Sequence, residues 1–272
     1  MSEPTHRLDV ELVARGLARS RGQARELVEA GSVLLQGSPA KKISTPVSAG
    51  QSLELVPGVE AWVSRAAYKL ASGLEAFGRD GLRVVDKRCF DVGACTGGFT
   101  QVLLREGARE VVALDVGHGQ LADEIAQDPR VIERSGLNVR DARAGDLGGP
   151  AQLLVADLSF ISLRLVLPVL RDLVEATGDL VLLIKPQFEV GRERLGKAAV
   201  VRSAGNRTMA IEGVVDAATS AGLSAKALRS NPIRGATGNA EYLLWLTPRP
   251  DEGLAAAQVT QLAATLSMEA TR

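Results

Sequence analysis

Only two cysteines and two histidines occur in the 272 residues, and Cys89, Cys95, His6 and His118 are too scattered to reproduce a zinc-ligand spacing. No metal site built from soft ligands is expected. Charge of one sign is not in excess either. The 32 Lys and Arg balance 32 Asp and Glu, so net charge gives no hint of a polyanionic partner, and any basic surface must come from local segregation. Apolar runs long enough to span a bilayer are absent, and residues 1–20 lack the basic start, apolar stretch and cleavage site of a secretion signal. These absences predict a cytosolic chain with no membrane partner. A hydrophobic share of 46% still provides for a core, and the length accommodates one full-sized domain plus a smaller one.

What is present begins with basic segregation near the N-terminus. VELVARGLA, from Val10 to Ala18, has helical apolar spacing, and ARELVEAG ends at Gly31, where a helix C-cap is expected. Short strands follow at Val33–Leu35 and Leu53–Val56. Arg15, Arg19, Arg21 and Arg25 succeed one another with no acidic residue from Leu12 to Arg25, and the pairs 15/19 and 21/25 are spaced to share helix faces. Arg7 precedes them, and Lys41 and Lys42 form a basic pair in the loop. An isolated charge run is ordinarily a solvated helix face. The order of features in RLDVELVARGLARSRGQARELVEAGSVLLQG, however, closely resembles the small RNA-binding domain first known from ribosomal protein S-four. That resemblance covers about residues 7–56 and implies that the basic edge binds structured RNA. The unit has no aromatic residue for stacking bases, which agrees with binding through phosphates.

Pro57-Gly58 closes this α+β unit, taken as residues 1–57; residues 58–63, with Trp62, read as a linker. From Ser64 a helical stretch carries Tyr68 and Lys69. Apolar runs then alternate with helical patterns: CFDV, VVALDV, VIER, LLVADLS, LVLLIKP, a helix near Asn206–Ala221, and EYLLWLT. Alternation of this kind predicts an α/β, Rossmann-like domain over residues 64–250, its sheet mostly parallel and seven-stranded. Residues 251–272 read as a tail containing a short helix.

In CFDVGACTGGFT, residues 89–100, the first strand runs into a glycine-rich turn where doubly wound folds hold nucleotide-like ligands. Gly93, Gly97 and Gly98 would allow close backbone approach. The dinucleotide fingerprint fails because Cys95 stands two residues after Gly93. Asp115, ending the next strand, suits a carboxylate that accepts from ribose hydroxyls. The expected ligand is therefore a nucleoside without pyrophosphate, and S-adenosylmethionine meets that description better than NAD. The expected cofactor-binding set is Asp91, Gly93, Ala94, Cys95, Gly97, Gly98, Phe99, Asp115, Val116, Asn138 and Asp157. A second stretch, GRERLGKA, nearly matches a phosphate-binding loop, but Ala198 lacks the hydroxyl that would bind magnesium, so it reads as a mobile loop.

Catalytic candidates come from strand ends. Asp157 closes LLVAD and Lys185 closes LVLLIK, so a parallel sheet brings both to one carboxyl edge. Glu241 opens EYLLWL and joins them if that strand is antiparallel. Lys69 lies on the helix before the first strand. These four fit the Lys-Asp-Lys-Glu tetrad of ribose 2′-O-methyltransferases with the RrmJ/FtsJ-like fold. DVGACTGGFT, DVGHGQL, ADLSFISL, KPQFEVG and GNAEYLLWL look like the TlyA family, also known under the name hemolysin A. Cys95 replaces a common Ser and His118 a common Tyr, and the segment around Asn138 is longer than usual. The resemblance implies methylation of cytidine ribose in ribosomal RNA, with Lys185 as base, Asp157 orienting it, and Glu241 holding the ribose and positioning Lys69. The alternative is a ribosome-binding or membrane-acting protein whose methyltransferase domain is vestigial.

Overall fold

The computed structural model describes residues 4–18, 20–29, 31–56, 62–196 and 199–270. They form two compact units, Met1–Arg65 and Ala66–Arg272.

In the first unit, β1 (Thr5–Arg7) leads into α1 (Leu8–Ala14) and α2 (Arg21–Glu29). Next come β2 (Val33–Leu35), β3 (Ser38–Pro39), β4 (Pro46–Ser48) and β5 (Leu53–Leu55). β1 pairs with β4, and β2 lies between β3 and β5, all antiparallel. Leu8, Leu12, Ala24, Leu27, Val28, Val33, Val47 and Leu53 make the core.

The first helix is shorter than its apolar spacing predicts. It stops at Ala14 because Gly16 takes a left-handed φ of 68° and the chain folds back, Leu17 and Ala18 both donating to the Leu12 carbonyl. Arg15 falls just past the end of α1, and Arg19, expected to share a helix face with it, lies outside the described residues. Arg15 instead braces the unit. Its guanidinium donates to Glu11 Oε2 at 2.8 Å, to the Gln51 carbonyl at 2.6 Å and to the Ser48 carbonyl at 3.0 Å.

Asp9, only 2% exposed, ties two other arginines together. Arg7 donates to Oδ1 at 3.0 Å, and Arg21 donates to Oδ2 through Nε at 3.0 Å and Nη2 at 2.8 Å. The expected linker falls mostly outside the described residues. Trp62 is buried, and its carbonyl accepts from Gln23 Nε2 at 2.8 Å.

The second unit begins with α3 (Ala66–Arg79), β6 (Arg88–Val92), α4 (Gly98–Arg105), β7 (Glu110–Asp115), α5 (Asp123–Ala126) and β8 (Val131–Ser135). It continues through β9 (Ala151–Ala156), α6 (Leu167–Asp172), β10 (Val174–Ile184), α7 (Pro186–Glu189), α8 (Ala204–Ser220), β11 (Ser224–Ser230), β12 (Tyr242–Thr247) and α9 (Ala256–Glu269). The strand order is β11-β12-β10-β9-β6-β7-β8. β12 runs antiparallel to both neighbours, whereas the pairs from β10 to β8 are parallel. Leu180 to Ile184, covered on both faces, form a continuous apolar run.

Side-chain alternation divides the two faces. Phe90, Val92, Leu154, Leu182, Leu244 and Leu246 join residues of α6, α8 and α9 in one core. The C-terminal stretch is therefore more than a tail, since Val259 and Ala263 of α9 complete this layer. On the opposite face, Phe77 of α3 packs on Trp245 with ring centroids 5.7 Å apart. Trp245 donates its indole N–H to Asp179 at 3.0 Å, which satisfies the polar end of a buried ring. Gly73 brings α3 against β12 so closely that a Cβ there would lie 2.9 Å from Leu243 Cδ1.

Two predictions follow from this packing. Gly73→Val should destabilise the protein by about 1–3 kcal/mol through overpacking. Gly78→Ala, where an added Cβ meets nothing within 4 Å, should be neutral or up to about 1 kcal/mol stabilising. Denaturant titration checks both. In the first unit, the two arginines, Arg7 foremost, lower the Asp9 pKa from 3.8 to about 2. A depressed carboxylate contributes its stability above the unfolded pKa and loses it as pH falls toward the folded one. The stability gap between the parent and Asp9→Asn should accordingly be full near pH 5 and close toward pH 2 in thermal unfolding.

Candidate active site

The carboxyl edge of the larger sheet gathers the chemistry. After β6, Gly93 turns at φ 86°, and a Cβ there would sit 2.9 Å from the Asp157 carbonyl, so only glycine lets the two strand ends approach. A cavity of about 450 Å³ opens beside this turn. Gly93, Cys95, Asp115, Val116, Asn138 and Asp157 of the expected cofactor set line it, and its size suits a small organic ligand. Asp115 accepts from the backbone N–H of Cys95 and of Gly117, each at 2.8 Å. Each carboxylate oxygen keeps a further lone pair for a ligand.

Asp91, Ala94, Gly97, Gly98 and Phe99 are not among the cavity-lining residues. Asp91 lies in β6, and the other four build the turn and the start of α4 behind the cavity. Gly97 fits against Ile125 and Leu121, where a Cβ would come within 3.0 and 3.1 Å. Asp91 is fully buried; its Oδ2 accepts from Thr100 Oγ1 at 2.7 Å, while Oδ1 has no hydrogen-bond partner among the described residues. Burial, with added repulsion from Asp157 and Asp115, raises its pKa to about 7 against the pull of the Thr100 hydroxyl. Two carboxylates, Asp115 and Asp157, thus line the cavity, and a third, Asp91, is buried behind it.

Beside the cavity stand two ion pairs. Lys185 Nζ lies 2.6 Å from Asp157 Oδ1 and donates to Ser159 Oγ at 2.8 Å. Lys69 Nζ lies 2.6 Å from Glu241 Oε2. Lys69, Lys185 and Glu241 are all buried. Ile184 of β10 pairs with Tyr242 of the reversed β12, so Lys185 and Glu241 share an edge. The loop after β11 closes over Glu241, with Gly235 so near that a Cβ would meet Oε1 at 2.6 Å. Asn231 donates its side-chain amide to the Lys69 carbonyl at 3.4 Å and its backbone N–H to the Glu241 carbonyl at 2.9 Å.

Reading the strand ends does not reveal Ser159, Phe160 or Glu189. Phe160 is 93% exposed, holds a left-handed φ of 64°, lines the cavity and packs on Phe188 at 5.4 Å between ring centroids. Glu189 accepts from Ser162 Oγ at 2.5 Å and from the Leu163 N–H at 2.8 Å. All belong to ADLSFISL and KPQFEVG, but only the fold shows that these words touch. The expected loop at GRERLGKA begins with a helical turn at Arg192–Arg194, and its Lys197 and Ala198 lie outside the described residues.

In the first unit Arg7 and Arg21 present half-exposed guanidinium groups while held by Asp9, and Arg25, Lys41 and Lys42 are exposed. Arg21 and Arg25 line a shallow notch of about 340 Å³.

Comparison with known proteins gives these units relatives. The S4 domain family matches residues 6–53, and the FtsJ-like methyltransferase family matches residues 62–247. A Mycobacterium tuberculosis protein named 16S/23S rRNA (cytidine-2′-O)-methyltransferase TlyA is 47% identical, the match covering 92% of each chain. Hemolysin A of Brachyspira hyodysenteriae is 34% identical over 87% of this chain and 98% of its own. A solved Streptococcus thermophilus structure that carries a provisional hemolysin name superposes with a TM-score of 0.74 at 36% identity, covering 99% of this chain and 96% of that one. The chain belongs to the TlyA family, which joins an N-terminal S4 domain to an FtsJ-like methyltransferase domain.

Proposed function

We propose that this protein methylates the 2′-oxygen of cytidine ribose in ribosomal RNA, with S-adenosylmethionine as donor. The observation that carries the reading is a lysine–carboxylate pair, Lys185 with Asp157, set against the wall of an acidic, nucleoside-sized cavity. Asp115 and Asn138 would hold the adenosine, and the negative charge of Asp91, Asp115 and Asp157 suits the donor's ammonium and sulfonium groups. When bound, the donor supplies a methyl group activated by positive sulfur.

A ribose hydroxyl is too weakly acidic to react unaided at neutral pH, so its proton must be taken as the oxygen attacks. For this Lys185 would first release its own proton to solvent, and Nζ would then take the hydroxyl proton as the ribose oxygen attacks. Asp157 then compensates the ammonium. Lys69, pinned by Glu241 at 2.6 Å, keeps a second positive charge at the ribose end of the site. Phe160 supplies an exposed ring on which the target base would stack.

Arg7, Arg21 and Arg25, with Lys41 and Lys42, supply phosphate contacts for structured RNA; Arg15, spent on carbonyls of its own unit, does not. The named activity of the mycobacterial relative supports RNA of either ribosomal subunit as substrate. No helix among the described residues is long and apolar enough to cross a membrane.

Labelled methyl transfer to isolated ribosomal subunits tests the activity, and Lys185→Arg tests its mechanism. Arginine preserves positive charge but cannot accept the proton. Single-turnover transfer should fall by about 10²-fold or more, the range of lost general-base catalysis, while donor binding persists. Near-parental rates would remove Lys185 as base.

A second prediction concerns Asp91. Its pKa, raised from 3.8 to about 7, leaves much of it neutral below pH 7, so apo stability should fall as pH rises from 4 toward 8. A cationic donor favours the ionised form. Calorimetry should therefore show donor affinity strengthening between pH 6 and 8, and Asp91→Asn should bind more weakly and lose that dependence.

A further inference from the structure

We propose that Ser159 is a positioning residue for the base, fixing the direction in which Lys185 presents its lone pair. This deepens the proposed function and rests on Lys185 acting as that base. A neutral lysine amine has two N–H bonds and one lone pair around Nζ. The structure supplies two acceptors, Asp157 Oδ1 at 2.6 Å and Ser159 Oγ at 2.8 Å. Both N–H bonds are thereby engaged, and the lone pair takes the remaining vertex. With Asp157 alone, rotation about the Cε–Nζ bond would swing the lone pair away from the hydroxyl at little cost, because a single acceptor fixes only one vertex.

The loop that carries Ser159 is itself held for this task. It is fastened to the segment after β10 at three levels: Asp157 and Ser159 to Lys185, Phe160 to Phe188, and Ser162 with Leu163 to Glu189. Residues 185, 188 and 189 succeed one another through the start and length of α7, so one short element anchors both the base and the loop that aims it. Ser159 also lies in the wall of the donor cavity, which places the aimed group beside the methyl donor's site.

The test compares Ser159→Ala and Ser159→Thr in the full chain, with S-adenosylmethionine as donor and ribosomal subunits as acceptor. At saturating donor and RNA, Ser159→Ala should lose roughly tenfold to hundredfold in single-turnover rate, as expected for a misaligned reacting group. Its KM for RNA and its calorimetric donor affinity should stay within about twofold of the parent, a small change on the affinity scale. Thr restores the hydroxyl and should recover most of the rate. The proposal is overturned if Ala keeps the parental rate, if its loss lies wholly in donor affinity, or if Thr fails to rescue a normally folded protein. Lys185→Arg run in parallel separates the two claims. A dead Lys185→Arg beside a fully active Ser159→Ala refutes the positioning role alone, whereas an active Lys185→Arg refutes the base itself and this inference with it.

Discussion

Four charges held at one buried sheet edge are the constraint around which the larger unit is arranged. Removing an ammonium or a carboxylate from water costs several kcal/mol per ion unless a partner and further hydrogen bonds compensate it. Here each lysine has a carboxylate at 2.6 Å. The topology must deliver those partners from four separate segments. Asp157 and Lys185 come from the ends of adjacent parallel strands. Glu241 reaches the same edge only because β12 is reversed, so that its beginning, not its end, meets the end of β10. Lys69 comes from a helix that precedes the whole sheet, and that helix can lie close enough because Gly73 leaves room for Leu243. The reversed strand, the helix glycine and the ion pairs thus form one structural requirement: losing any of them strands a buried charge.

The parts visible in the sequence are those governed by local pattern. Apolar runs that end abruptly in Asp115, Asp157 or Lys185 announce strand ends and the edge to which those side chains come. Glu241 was legible only conditionally, since strand direction is a property of the sheet. In the glycine-rich turn, the pattern marks close approach but not what approaches. Gly93 admits the neighbouring strand end and borders the cavity, while Gly97 admits the side chains of Ile125 and Leu121. The basic unit shows the same division. Its arginines are plain in the sequence, but Arg15 is consumed by carbonyls of Ser48 and Gln51, more than thirty positions away. Asp9 reads as one acidic residue among basic ones until burial shows it gripping two guanidinium groups. Ser159 and Phe160 escape notice because their importance comes from a loop fastened to α7, and neither periodicity nor strand-end logic applies to such a loop.

Asp157 joins the two halves of the proposed chemistry, because it both lines the cavity and pairs with Lys185. Methyl transfer from a sulfonium abolishes a positive charge on the cavity side of this carboxylate. In the proposed reaction a Lys185 that has first given up its own proton would take one from the hydroxyl, creating a positive charge on the other side. The charge facing Asp157 is therefore the same before and after reaction and changes only in position. At a partly buried carboxylate, where a charge interacts more strongly than in bulk water, a reaction that conserves local charge would avoid the cost of leaving Asp157 uncompensated at either end. On the proposed reading the buried Asp91 behind the cavity, its pKa raised to about 7, would ionise more readily beside a cationic donor than beside the less positive product. On the proposed reading the acidic cavity would favour the charged donor over its demethylated product, so the carboxylates that gather the substrate would also help the spent cofactor to leave.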